Sequence, residues 1–361
     1  MAPLLGRYFT AVLPMSPLIK VLRYAIAALV LAFASPASAV TLEQFGGGSN
    51  VADNTAAWNA MMASMPNGGK VDLGCTTYRF LSGISVPNYV HVEGCGGDTS
   101  VIDCSGITSA QPCITISGYR QKLQSVMVRG SSAAGVLITS AAFIVLEDVG
   151  VTDTRTPDSS PWDDNCIDVY NSWRVTIEEP RLVNCRSFAI SATGYGTTLR
   201  VVGGYADSPK KSGVHLNGIT YFHFDNFAVD HAVDYAIWAH NVASGVFTAQ
   251  GGEFNGKGMF LFTASDTEAA GVIVPDVSGI VIVAPFSFDN GKSRPFFSSL
   301  IEASSQNGRR IDITLSGGYE HTSPNGRSII ATGSGVRISR TGGTLKGGIT
   351  VSGGAVVTTL F

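Results

Sequence analysis

The sequence predicts an all-β chain that coils as a solenoid, a parallel β-helix, behind one short N-terminal helix. Six short segments share the pattern small, apolar, variable, apolar. They begin at Gly135, Cys166, Ala189, Gly213, Ala236 and Gly258. Successive starts lie 31, 23, 24, 23 and 22 residues apart. A repeat of this length, made of short strands, is typical of a solenoid whose coils stack around one shared core.

Composition agrees with this fold class. The 361 residues include 42 glycines, and 45% are hydrophobic but only 14% charged. A disordered chain would need high charge and low hydrophobicity, so disorder is excluded. A β-sandwich is the competing fold, but its strands recur every 8–12 residues or so and do not explain the longer period.

Residues 1–39 are predicted to be a secretory signal peptide. They contain Arg7, Lys20 and Arg23, then an apolar run over 24–34 and a small-x-small site at 37–39. An uncleaved anchor is the alternative, but the run is short for a membrane span. Without these residues the chain keeps 21 of its 24 basic and all 27 acidic residues, a net charge of −6. That balance argues against a nucleic-acid partner, and no later segment predicts a membrane span.

Six cysteines indicate disulfides in an exported chain. Cys75 and Cys95 lie 20 residues apart, and Cys166 and Cys185 lie 19 apart. If the chain coils with about that period, each pair falls on neighbouring coils. The two remaining cysteines, at 104 and 113, could close a short loop. A zinc site is the alternative, although no Cys-x-x-Cys motif is present.

Residues 40–70 are predicted to form a lead-in and a capping helix, and 71–361 the β-helix. Asp53 or Asn54 is suited to the helix N-cap, and Pro66 follows the helix. The run over 53–60, with 68–73 and 78–80, resembles the N-terminal signature of pectate-lyase-superfamily proteins, which include rhamnogalacturonase/epimerase-like proteins and phage tailspikes. The resemblance implies a right-handed parallel β-helix. It implies no single reaction, since that fold hosts lyases, hydrolases, epimerases and passive binders.

The repeat predicts one row of outward-facing side chains on the first strand of each coil, because alternate residues of a strand point to opposite faces. The row comprises Leu137, Asp168, Ser191, His215, Trp238 and Phe260. Hydroxyl, carboxylate, imidazole and aromatic groups side by side suit a sugar-binding groove. The alternative is a solvated β-face with a chance row.

A polar insertion over 153–162 precedes the second segment and is expected to overhang this row. It would bring Trp162, Asp163 and Asp164 close to Asp168. Long loops in compact repeats are often functional, although ordinary solvated turn aspartates are the alternative. The three carboxylates could hold Ca²⁺, a hard cation that takes oxygen ligands.

Polygalacturonases carry Asn-Thr-Asp-Gly-Ile-Asp where this chain has 163–168. Here the catalytic third position is Asn165, and Ser187 and Phe188 replace an Asp-Asp pair on the next coil. That hydrolytic machinery is therefore not carried over. A lyase or epimerase instead needs a base for the C5 proton of a uronic acid and a cation for its carboxylate.

We therefore predict an exported protein, periplasmic or secreted, that acts on an acidic polysaccharide with lyase- or epimerase-type chemistry. A glycoside hydrolase and a non-catalytic polysaccharide-binding or surface-structural protein are the alternatives. A homo-oligomer through the C-terminal edge stays open. The predicted catalytic residues are Asp168, His215, Asp164 and Lys211. The predicted substrate-binding residues are Asp163, Arg186, Ser191, Trp238 and Trp162.

Overall fold

The computed structural model describes residues 39–154, 164–266, 276–290, 299–321 and 327–360. They form one parallel β-helix, which confirms the predicted fold class. A 3₁₀ turn at Leu42–Phe45 and the predicted α-helix, α1, at Thr55–Ala63 precede the regular coils. Within these ranges no helix is both long and apolar enough to cross a membrane. The predicted signal sequence lies outside the described residues, apart from Ala39.

Each complete coil contributes one strand to each of three parallel sheets. Sheet 1 contains Ile84–Val86, Ile114–Tyr119, the start of Val136–Thr152, Ile167–Tyr170, Ile190–Thr193, Val214–Asn217, Tyr235–His240, Gly258–Ala264, Ser299–Ser305, Arg327–Thr332 and Gly348–Ser352. Sheet 2 contains Val40–Thr41, Gly69–Asp72, Val90–Glu93, the start of Lys122–Arg129, the middle of Val136–Thr152, Trp173–Glu178, Thr197–Val202, Thr220–Asp225, Ala243–Thr248, Val277–Val283, Ile311–Ser316, Val336–Thr341 and Val356–Leu360. Sheet 3 contains Thr77–Arg79, Val101–Asp103, the ends of Lys122–Arg129 and Val136–Thr152, Arg181–Val183, Tyr205–Asp207, Ala228–Asp230, Gly251–Glu253, Phe286–Phe288 and Tyr319–His321.

Residues in the left-handed region of φ mark the corners between sheets. One set stands where the chain enters sheet 2, at Phe143, Arg174, Thr198, Tyr221, Ser244 and Gly279, with φ between 55° and 63°. Another follows the sheet 1 strand, as at Ser140, Asn171 and Asn241. Matching residues follow sheets 2 and 3, for example Asn226 at 52° and Asn184 at 54°. One left-handed residue reverses the local bend of an extended chain, so each strand can turn into the next sheet.

The small residue that opens each repeat does not form a tight corner, since neither Gly135 nor Gly213 has a positive φ. A Cβ on Gly135 would lie 2.3 Å from Val151 Cγ1, and one on Gly213 would lie 2.3 Å from Val229 Cγ1. The position is small because the end of sheet 3 packs against it.

Helix α1 covers the N-terminal end of the core, as predicted. Trp58 is fully buried, meets Phe80 edge-on at 5.9 Å and donates its indole N–H to the Ser85 carbonyl at 2.9 Å. Asn54 is the N-cap by position, but its side chain bonds to Gly48. The Asp53 carboxylate instead accepts the Thr55 amide at 3.0 Å. Asn54 therefore occupies the N-cap position, whereas Asp53 supplies the side-chain hydrogen bond at the start of the helix.

The structure contains the three predicted disulfides, and the described chain has no free cysteine. Cys75–Cys95 and Cys166–Cys185 each link neighbouring coils with Cα atoms 5.4 Å apart. Cys104–Cys113 closes the loop between sheet 3 and sheet 1, with Cα atoms 5.8 Å apart. A cross-link of this kind stabilises the fold mainly by restricting the unfolded chain.

The middle of the core is a stack of phenylalanines from successive coils. The Phe222 and Phe247 rings lie 5.3 Å apart, and Phe247 lies 5.3 Å from Phe260. Gly245 leaves the room that this packing requires, because a Cβ there would lie 1.9 Å from Phe222 Cζ.

We expect Gly245→Ala to lower the free energy of unfolding by about 1–3 kcal/mol, because it overpacks this stack. Urea unfolding would measure the loss, and Phe222→Leu in the same chain should recover part of it. Gly251→Ala is the control, since its Cβ would have its nearest contact at 3.5 Å. Equal effects of the two alanines would contradict the packing argument.

Candidate functional site

The predicted outward row exists on sheet 1. Asp168 pairs with Leu137 on one side and Ser191 on the other, Ser191 pairs with His215, and His215 pairs with Trp238. Their strand neighbours point into the core, as at Ile167 and Val169. The alternation predicted from the repeat therefore holds through these five members.

The sixth predicted member, Phe260, is wrong. Trp238 pairs with Leu261, whereas Phe260 pairs with Ile237 and is fully buried. The predicted repeat begins at Gly258, but the residue that corresponds to the preceding repeat start, Ala236, is Met259. A shift of one residue exchanges the two faces of a strand.

A pocket of about 650 Å³ opens over this row. The second row, two residues further along each strand, forms part of its floor. The lining residues are Ala110, Pro112, Ala133, Ala134, Leu137, Thr139, Asp168, Tyr170, Phe188, Ser191, Thr193, His215 and Asn217. Ala110 and Pro112 stand in the loop closed by Cys104–Cys113. The disulfide thus supports one wall of the pocket.

His215 is almost fully buried in the pocket lining, with 6% of its surface exposed. Its ring stacks on Phe188 at 4.6 Å and lies 4.7 Å from the Trp238 ring. Burial lowers the pKa of His215 to about 3, and the nearby His240 and Lys211 charges add to the effect. The imidazole is therefore neutral near pH 7. It makes no hydrogen bond to any residue in the described ranges.

Asn217 is the next outward residue of the same strand. Its Oδ1 is buried and accepts no hydrogen bond from the part of the chain that the structure describes. Buried polar groups are normally paired, so an exception calls for a partner that the protein does not supply. Asn217 Oδ1 borders the same pocket as the almost fully buried imidazole of His215. A ligand or water with hydroxyl groups would pair with both.

Asp168 is partly buried on the floor of the pocket. It lies two coils from His215, or about 10 Å at the usual spacing of parallel strands. Ser191 lies between them and is buried. The arrangement places a carboxylate and a neutral imidazole on either side of a space wide enough for one sugar ring.

The other predicted site residues lie around the pocket rather than in it. Asp164 is buried and does not line it; its carbonyl accepts hydrogen bonds from Thr154 Oγ1 at 3.1 Å and the Ser187 amide at 3.2 Å. Lys211 Nζ lies 5.3 Å from the centre of the Phe188 ring. Trp238 does not line the pocket, but its ring lies 4.7 Å from that of His215 and 6.3 Å from that of Phe188.

Arg186 lies in a second, smaller cleft of about 380 Å³ with Thr154, Asn184 and Lys210. Trp162 and Asp163 lie outside the described residues. No group of three or more metal-binding side chains occurs in the described ranges. Because Asp163 is outside them, the calcium site stays a prediction.

Sequence reasoning missed the second row, Thr139, Tyr170, Thr193 and Asn217. The repeat would have located it by counting two residues beyond the first row. It also missed Glu302, which follows Leu261 in the first row and accepts a hydrogen bond from Tyr235 Oη at 2.5 Å. Glu302 lies in Ser299–Ser305, a strand of sheet 1 within a polar stretch whose sequence lacks the repeat pattern.

The His215 pKa leads to a prediction for stability. An unfolded histidine titrates near 6.5 or so, but the folded group titrates at about 3. As the pH falls between these values, the unfolded chain gains a proton that the folded chain does not. The native protein should therefore lose stability relative to His215→Gln, by at most about 1.4 kcal/mol per pH unit. Urea unfolding at pH 7, 5.5 and 4 would measure this difference.

His231→Gln removes an exposed histidine and is the control. A difference that does not change with pH would contradict the burial argument.

Sequence comparisons give no match for this chain. No protein-family model matches it, and neither does any curated protein. Its relationships are therefore visible only in the fold.

Solved structures give clear matches. The A-module of the mannuronan C-5 epimerase AlgE6 from Azotobacter vinelandii has a TM-score of 0.60 at 12% identity, over 88% of this chain and 99% of that one. The catalytic unit of a GH87 α-1,3-glucanase from Streptomyces thermodiastaticus has a TM-score of 0.61 at 15% identity, over 90% and 69%. The surface adhesin PfbA of Streptococcus pneumoniae has a TM-score of 0.55 at 13% identity, over 89% and 90%. Likeness at such low identity concerns the fold and not the reaction. The chain therefore shares the parallel β-helix fold of these solved structures.

Proposed function

We propose that the sheet 1 pocket binds a sugar residue of an extracellular polysaccharide, and that His215 and Asp168 act on it by lyase- or epimerase-type proton transfer. The observation that carries this proposal is the polar lining of the pocket: Asn217 Oδ1 is buried without a partner in the described chain, beside the almost fully buried imidazole of His215. Phe188, Tyr170 and Leu137 give the pocket apolar surface against which a pyranose ring can pack.

The neutral imidazole of His215 is the group that accepts the C5 proton of a uronic acid. In β-elimination the resulting electron pair forms a C4–C5 double bond while the C4–O bond breaks, and the departing oxygen keeps the bonding pair and takes a proton from an O–H donor of the lining. In epimerisation a proton returns to C5 from the opposite face. Tyr170 and Ser191 are O–H donors in the lining. The Lys211 ammonium near Phe188 is the closest predicted cation for the substrate carboxylate.

Paired-carboxylate hydrolysis has less support. Glycoside hydrolysis usually takes two carboxyl groups on either side of the bond. Among the described residues that line the pocket, Asp168 is the one carboxylate. A second would have to come from another part of the chain.

Non-catalytic polysaccharide binding is the second candidate function. It is favoured by the same pKa of about 3 at His215, because a group with so low a pKa is a weak base near pH 7. Either function fits an exported protein. The three disulfides support export, since such bonds persist in oxidising compartments.

We expect Asp168→Asn and His215→Gln each to reduce turnover at least about 100-fold, the usual scale of acid–base catalysis, with polysaccharide binding retained. The purified chain would be tested on polygalacturonate, mannuronan and α-1,3-glucan. Near-ultraviolet absorbance reports elimination, new reducing ends report chain cleavage, and deuterium uptake at C5 from heavy water reports epimerisation.

The matched controls are Asp225→Asn and His223→Gln, which change the same residue types on the outer face of sheet 2. Wild-type binding without any of the three products would support the non-catalytic function. New reducing ends without near-ultraviolet absorbance would identify a hydrolase and overturn the proton-transfer chemistry.

A further inference from the structure

The corner between sheet 1 and sheet 2 carries an aromatic residue in six successive coils. These residues are Tyr89, Tyr119, Phe143, Trp173, Tyr195 and Tyr221. Four are widely exposed: Tyr89 by 52%, Trp173 by 47%, Tyr195 by 51% and Tyr221 by 65%. Phenylalanine, tryptophan and tyrosine together make up 9% of the chain, so an aromatic at every one of six corners is a marked concentration. We call this row the aromatic corner.

Part of the aromatic corner is a packed cluster of rings and guanidinium groups. The Tyr119 ring lies 6.0 Å from Tyr89 and 4.8 Å from Phe143. The Arg120 guanidinium carbon lies 5.4 Å from the Tyr119 ring centre, and that of Arg174 lies 4.7 Å from Phe143. Such contacts hold both arginines flat against the surface.

The charged side chains of this surface are all positive. The six corner segments, at 87–89, 117–121, 139–143, 170–174, 193–198 and 217–221, contain Arg120 and Arg174 and no Asp or Glu. Within the described ranges neither arginine forms an ion pair. Their donors are therefore available to an anion, and guanidinium groups bind carboxylates with matched geometry.

The backbone gives this surface a fixed spacing. Phe143, Arg174 and Tyr221 stand at left-handed corner positions with φ of 62°, 55° and 55°. Bulky residues rarely adopt this conformation, whereas Gly279 does so at the same position of a later coil. The large side chains are thus present despite a local backbone cost. Successive coils set the rows about 4.8 Å apart, so the six coils span roughly 24 Å.

The aromatic corner runs beside the pocket. Tyr170 lines the pocket, and Trp173 follows it three residues later on the same coil. The other coils that build the floor contribute Phe143, Tyr195 and Tyr221. A polymer that enters the pocket can therefore continue over the corner.

We propose that the aromatic corner binds a further stretch of the same polysaccharide chain, and that this chain is acidic. The rings stack on sugar faces, and Arg120 and Arg174 pair with sugar carboxylates. This inference rests on the proposed function for the pocket. It adds a second binding surface for a glycan longer than the pocket, which the pocket lining alone does not specify.

The test compares affinities for short and long fragments of polygalacturonate and of mannuronan, measured by calorimetry on the full mature chain. One variant combines Arg120→Gln with Arg174→Gln, and another combines Trp173→Ser with Tyr195→Ser and Tyr221→Ser. Each should lower the ratio of long- to short-fragment affinity about tenfold. Arg337→Gln and Tyr205→Ser, exposed residues away from the corner, should leave the ratio unchanged.

An unchanged ratio in both corner variants, with turnover lost in His215→Gln, would overturn the corner and leave the pocket proposal standing. A lowered ratio in the corner variants, with wild-type turnover kept in His215→Gln, would support the corner and count against the pocket. If the corner variants bound a neutral α-1,3-glucan more weakly by the same factor as the acidic fragments, the proposal of an acidic substrate would be overturned. Melting curves would confirm that each variant is folded.

Discussion

Parallel hydrogen bonding between each strand and the strand one coil later determines where every side chain of this protein lies. The pairing places residues about 23 positions apart side by side, as Asp168, Ser191 and His215 are. It also fixes which face each residue takes, because the side-chain period of a strand is two. The core, the pocket floor and the aromatic corner are three consequences of one register.

That register explains how His215 becomes a buried polar residue. A sheet usually leaves its outer face to solvent, yet His215 is almost wholly covered. The cover comes from neighbouring coils: Phe188 enters from the connection between sheets 3 and 1, and Trp238 from the next coil. Cys166–Cys185 ties the connection that leads to Phe188 to the coil before it. Stacking thus removes water from one face of a histidine that the strand itself would expose.

Much of this could be read from the sequence, for identifiable reasons. The coil length and the outward positions of Asp168, Ser191, His215 and Trp238 follow from a repeat that depends only on apolar alternation. Phe260 was misplaced because a single-residue step reverses the faces, and its segment has apolar residues in both registers. The corners escaped prediction because left-handed φ is adopted here by Phe, Arg, Thr and Tyr as well as by glycine. The pocket walls depend on which connecting segments pack over sheet 1. This is a tertiary property that the local sequence does not indicate.

The low pKa of His215 and an acidic substrate are connected. Burial and the charges of Lys211 and His240 all oppose protonation of the imidazole. A sugar carboxylate bound beside the imidazole would act in the opposite direction, since a nearby negative charge favours the protonated form. The same carboxylate would offset the Lys211 charge. An anionic glycan would therefore strengthen the base that is to act on it, whereas a neutral glycan would leave His215 a weak base. The arginines of the aromatic corner favour the same kind of ligand, so the proton-transfer function and the acidic substrate depend on each other.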